Sequence, residues 1–124
     1  MKRSEINALI QEAIDFFEEH KFKLPPFGHW TPEDWKQKGP ESAEIVDCQL
    51  GWDVTDFGGG DYKKLGLFLF TIRNGTPENL KNMSGKTYAE KIMIADEGQV
   101  TPWHFHRDKM EDIINRGGGE LVIK

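Results

Sequence analysis

A chain of 124 residues with 16 basic and 21 acidic side chains, formal charge -5, has room for one domain rather than two and lacks the basic stripe that would make nucleic acid its main partner. Hydrophobic residues at 37% and charged residues at 30%, with eight Phe and four Trp for a core, exclude a disordered chain. The single cysteine, Cys48, excludes an internal disulfide framework and a cysteine-rich zinc site, and no apolar run approaches the roughly 20 residues that cross a bilayer, so no membrane partner is expected and the cytoplasm is the expected compartment.

Residues 4–21 read as a helix, because Ile6, Leu9, Ile10, Ala13, Ile14, Phe16 and Phe17 recur at helical intervals with acidic and amide residues between them. Ser4 followed by Asn7 is only a partial start signal, since a capping box needs Glu or Gln at the second position. Pro25 and Pro26 cannot continue a helix, and an aromatic, turn-rich loop spans 22–43. Within it, Thr31-Pro32-Glu33-Asp34-Trp35 predicts one short helical turn with Thr31 as its cap. Glu44 to Leu50 begins a β pattern on Ile45 and Val46 that ends at Gly51. Gly58-Gly59-Gly60 is a turn, with no adjoining lysine or helix to make it a phosphate cradle. Leu65–Arg73, the most apolar run, predicts a buried strand closed by the turn Asn74–Pro77.

Gly85-Lys86-Thr87 is like the end of a phosphate-binding loop, but Leu80 stands where the earlier glycine is required, so that reading is rejected. Tyr88–Ala95, Val100–His106, Met110–Asn115 and Glu120–Ile123 complete the predicted strands. The expected fold is mainly β: one domain over 1–124, with a leading helix and then short antiparallel strands over 44–124 forming a small barrel or sandwich. The chain stops inside an apolar strand, and we expect it to be the front part of a longer protein.

The informative segment is 98–111. On a strand, His104 and His106 share a face with Cα atoms roughly 6–7 Å apart, close enough for both imidazoles to reach one cation. Glu111 is five positions beyond His106, an odd offset that a continuous strand would send to the opposite face; a turn at Arg107-Asp108 would return it to the histidines. Two imidazole nitrogens and one carboxylate oxygen suit a divalent first-row metal (Mn, Fe, Co, Ni or Zn) and do not make an oxygen-only calcium site. With Gly98 six residues before the first histidine and Gly118 after the glutamate, the spacing satisfies the first signature motif of the cupin β-barrels. If the strand has restarted by position 109, Lys109 shares a face with Glu111, and its ammonium could bind a sugar hydroxyl or stabilise a developing oxyanion. Lys91, followed by Ile92 and Met93, is a second candidate for an inward position. His20 reads as a helix-end cation, and His29 as packing in the aromatic loop with a lesser prospect of lining a pocket.

LPPFGHWTPEDW, KTYAEKIMI and GQVTPWHFHRDKMEDIINRGGGELVI together resemble the bacterial D-lyxose isomerases, cupin sugar isomerases, over nearly the whole chain. The resemblance implies an RmlC-like jelly-roll antiparallel β-barrel, incomplete here, with an N-terminal helix. It implies a manganese-dependent aldose–ketose isomerase that interconverts D-lyxose with D-xylulose, and D-mannose with D-fructose, through a cis-enediol. His104, His106 and Glu111 would be metal ligands. Lys109, as a catalytic and substrate-binding residue, and Lys91, as a substrate-binding residue, would face the sugar. A small sugar and a second copy of the chain, as a homodimer, are the expected partners. Family members are longer and carry a fourth ligand, a histidine, and a proton-transferring glutamate in their later part, so the 124 residues alone are expected to be weakly active or inactive. Two rival readings stay open. One is a non-catalytic sugar-binding or regulatory cupin with Phe27–Trp35 as its rim; the other is an Fe(II) oxygenase, because two histidines and a carboxylate also make a facial triad.

Overall fold

The computed structural model describes residues 1–124. Helix α1 spans Arg3–Glu19 and begins one residue before the expected start. Its start is held by Glu5, whose carboxylate accepts from the Lys2 backbone N–H, and not by Ser4. The predicted apolar stripe is the buried one, with Ala13 and Phe17 at its centre. His20 closes the helix: its Nδ1 donates to the Phe16 carbonyl oxygen at 3.0 Å. A single 3-10 turn, Pro26–His29, leads to α2 at Pro32–Lys36. Thr31 caps α2 as expected, its Oγ1 accepting from the Asp34 N–H at 3.2 Å while Asp34 accepts from the Thr31 N–H at 2.8 Å.

The expected β pattern over 44–50 is instead helical. Pro40–Ser42 forms a 3-10 turn and Ala43–Asp47 continues it as α3. Ser42 is buried and both its N–H and its Oγ donate to the Gly39 carbonyl, which starts the coil that Ile45 and Val46 then follow. Val46 is exposed, so the β-branched pair does not mark a buried strand. Strand β1 starts only where that reading stopped, at Gly51–Thr55. Strand β2, Leu67–Arg73, lies within the predicted run, and β3 occupies Glu90–Ile94. Between them Pro77–Asn82 is a further helix, α4, where only a turn was expected; Thr76 caps it by accepting from the Asn79 N–H.

The three strands form one antiparallel sheet in the order β1-β2-β3. The register sets Trp52 opposite Phe70, Val54 opposite Phe68, and Ile92 and Ile94 opposite Phe70 and Phe68. Alternate residues therefore share one face, and that face packs on Ala13 and Phe17 of α1. The opposite face carries Asp53, Leu69, Thr71, Lys91 and Met93; Leu69 and Thr71 on the central strand are buried, while the other three are exposed.

The strands expected at Val100–His106, Met110–Asn115 and Glu120–Ile123 do not form. Val100 alone makes a bridge, parallel to Leu65, and from 101 onward no residue is in a helix or strand. A strand needs a neighbouring ladder for its backbone groups, and none of these runs has one beyond the Val100 bridge. Trp103, Phe105, Met110 and Ile114 accordingly lie exposed. The expectation of a mainly-β barrel over 44–124 is thus corrected to a mixed α/β arrangement with an open three-stranded sheet. No helix is long and apolar enough to cross a membrane.

Candidate metal centre

The segment that carries the histidines is anchored at its start and near its end. Gln99 Nε2 donates to the Tyr62 carbonyl at 2.6 Å, and Thr101 Oγ1 to the Gly66 carbonyl at 3.2 Å, which ties residues 99–101 to the loop between β1 and β2. Farther on, the Arg116 guanidinium lies over the Phe22 ring at 5.3 Å. Gly118 adopts φ +92° with the edge of Phe16 where a Cβ would stand 3.3 Å away, so the motif glycine serves a close backbone approach to α1.

Between these anchors His104, His106 and Glu111 come together, although no strand carries them. One ligand atom from each lies within 4.8 Å of the others. The chain bends at Arg107-Asp108, where the turn was expected, and this bend returns Glu111 to the histidines. The two rings meet edge to face with centroids 4.9 Å apart. His104 Nδ1 donates to the Pro102 carbonyl at 2.8 Å, which leaves Nε2 as the nitrogen with a lone pair to offer. His106 Nε2 lies 3.4 Å from Glu111 Oε2. Lys109 Nζ donates to Glu111 Oε1 at 3.2 Å. That hydrogen bond is the largest cause of a Glu111 carboxyl held below its ordinary value; burial opposes it, and the neighbouring Lys109, His106 and His104 add smaller lowering effects. A bound cation would need this carboxyl in its ionised form, and the lowered value favours that form.

The donor set suits a first-row divalent ion. With bonds of about 2.0–2.2 Å, two ligand atoms stand roughly 3 Å apart at a right angle and about 4 Å apart when opposed. The atoms here lie within 4.8 Å of one another, just beyond that range at most.

Lys91 is placed elsewhere. It lies on β3 opposite Thr71 and opens onto a cleft of about 350 Å³ on the sheet face away from α1. Asp53 and Asn74 share that lining, and His104, His106, Lys109 and Glu111 do not. His20 serves the end of α1, and His29 is exposed and belongs to neither site. Sequence reasoning missed the Pro102 carbonyl that orients His104, and the polar residues beside Lys91; the two-residue offset of Pro102 from His104 was the available signal for the first.

A family profile described as D-lyxose isomerase matches residues 1–124. A D-lyxose/D-mannose isomerase of Serratia proteamaculans is 49% identical over 125 residues, an alignment that takes in all of this chain and 54% of the relative. A D-lyxose/D-mannose isomerase of Escherichia coli O157:H7 is 47% identical over the same length, again with 54% of the relative covered. The chain thus spans about half the length of these curated relatives. With the family's match running from the first residue to the last, this chain belongs to the D-lyxose isomerase family.

Proposed function

We propose that this chain supplies the metal-binding part of a manganese-dependent aldose–ketose isomerase of cupin type. The protein that carries it would interconvert D-lyxose with D-xylulose and D-mannose with D-fructose. The observation that carries this reading is the convergence of two imidazoles and one carboxylate within 4.8 Å. The relatives named D-lyxose/D-mannose isomerase support the choice of sugars, and the open antiparallel sheet is compatible with part of a barrel.

Isomerisation moves a proton between C2 and C1 of the sugar through a cis-enediol. His104, His106 and Glu111 would hold a divalent ion, whose Lewis acidity would stabilise the negative charge that develops on the sugar. Glu111 is a poor candidate for the base at carbon, because its lone pairs are engaged as a ligand. We assign the base at carbon to a group other than Glu111. Lys109 carries three N–H donors, so the ammonium can hold Glu111 and still donate to a sugar oxygen. Lys91 would bind a hydroxyl from the polar cleft on the sheet.

Titration of Mn2+ into the chain, followed by calorimetry, tests the site. One ion per chain is expected, with affinity reduced at least ~100-fold in His106→Ala, beyond the usual effect of losing a residue that only supports a ligand. Equal affinity in His106→Ala would overturn the ligand assignment. Conversion of D-lyxose to D-xylulose in the presence of Mn2+, followed by NMR, tests the activity of the protein that carries the chain. Oxygen consumption with Fe(II) in place of that conversion would favour the oxygenase reading.

A further inference from the structure

We infer that Lys109 is a positioning residue for the ligating carboxylate, its ammonium engaging Glu111 Oε1 so that Oε2 alone is presented beside His106. Glu111 has three side-chain torsions, lies on a stretch with no helix or strand, and is exposed. Left to itself such a side chain samples several rotamers. Its two oxygens are nevertheless divided between two partners: Oε1 accepts from Lys109 Nζ at 3.2 Å, and Oε2 lies 3.4 Å from His106 Nε2. Lys109 forms no other ion pair. His104 is held in a parallel way, its Nδ1 engaged by the Pro102 carbonyl so that Nε2 is the atom on offer. Two of the three ligands thus have a second partner on the atom that a metal would not use, the arrangement by which proteins orient ligand groups. The ammonium pairs with Oε1 while Oε2 faces His106, so the lysine leaves Oε2 for a cation. The carboxylate is then a one-oxygen ligand, and the remaining Lys109 donors stay available.

The consequence for metal affinity rests on the metal reading above, whereas the consequence for the Glu111 rotamer does not. The test uses the whole chain with Lys109→Met and Lys109→Arg. Three-bond couplings of the Glu111 side chain, measured by NMR in EDTA, are expected to report one dominant rotamer in the parent, rotamer averaging in Lys109→Met, and recovery in Lys109→Arg. Calorimetric Mn2+ titration is expected to give a Kd weakened about 10–100-fold in Lys109→Met and largely restored in Lys109→Arg. Unchanged Glu111 couplings in Lys109→Met would overturn the inference. So would an Mn2+ affinity that stays equal or tightens, since a lysine that only faces the sugar leaves affinity alone and one that competes with the ion lowers it. If the parent binds no Mn2+ while the couplings change as expected, the metal reading falls and the positioning role stands.

Discussion

Replacing Phe70 by Ala removes the ring on which the sheet and the aromatic loop close. Phe70 is fully buried, at 0% exposure. Its ring stacks on Phe27 at 5.3 Å and meets Trp52 edge-on at 4.7 Å. Gly28 rests against the same ring, and the Gly28 carbonyl accepts the Trp52 indole N–H at 2.9 Å, so the loop and β1 are both registered on this side chain. Phe→Ala changes in cores cost about 3–5 kcal/mol. Aromatic pairs add about 0.5–1.5 kcal/mol beyond area burial, and two such pairs place this substitution in the upper half, at about 4 kcal/mol. Only 11 of 124 residues are buried, which sets the total stability toward the lower end of the ~5–15 kcal/mol common to domains. The variant should be close to unfolding without denaturant. The assay is urea unfolding followed by tryptophan fluorescence. With a slope of about 1–3 kcal/mol per molar urea, the midpoint should fall by roughly 2 M. Met93→Ala is the control: it lies on the opposite sheet face at 55% exposure, and its effect should stay within about 0.5 kcal/mol. A loss under about 1 kcal/mol for Phe70→Ala, or an equal loss for Met93→Ala, would refute the assignment of the buried face.

Two further outcomes follow from local geometry. In Gly75→Ala the new Cβ would collide with the Lys86 carbonyl oxygen, a backbone atom that cannot swing aside; a loss of about 1–3 kcal/mol should lower the Tm by roughly 4–12 °C in calorimetry, and an unchanged Tm would show that the loop closes elsewhere. Asp56, which is buried, accepts from the Gly58 N–H at 3.0 Å and the Gly60 N–H at 3.1 Å. The Gly58 hydrogen bond is the largest cause of a carboxyl held below its ordinary value; burial opposes it, while the N-terminal ammonium adds to it. Because the folded form holds the carboxylate more tightly ionised than the unfolded form, the stabilisation is present above about pH 4 and fades as pH falls through the lowered folded value. The Tm gap between the parent and Asp56→Asn should therefore shrink below about pH 4; a gap constant from pH 7 to 2.5 would refute the role.

Thr31-Pro32-Glu33 and Thr76-Pro77-Glu78 carry the same helix-start signature, and both begin helices with the threonine as cap. The first is legible because acidic residues follow it in the first turn; the second sits beside Asn74-Gly75, whose turn signal masks it. Ile45 and Val46 misled in the other direction, since β-branched residues favour strands only where a ladder awaits them, and the turn at Pro40–Ser42 had already started a coil. At the candidate site, the convergence of His104, His106 and Glu111 and the bend at Arg107-Asp108 were legible from spacing. The strand expected to carry the histidines was not formed, and the bend together with the anchors at 99–101 and 116–118 does its work.

Features set by forces acting within a few residues could be read from the amino acids in order: the apolar stripe of α1, the cap at Thr31, the apolar run of β2 and the grouping of two imidazoles with an acid. Features that need a partner from far along the chain could not. The register of β2 decides that Phe68 and Phe70 share the buried face, Phe68 against α1 and Phe70 against the aromatic loop, while Thr71 and Lys91 face a separate cleft, and the lack of a neighbouring ladder leaves 101–124 without strands. A side-chain period marks two faces of a strand without saying which is covered, and backbone hydrogen bonds between strands exist only when both partners are in place.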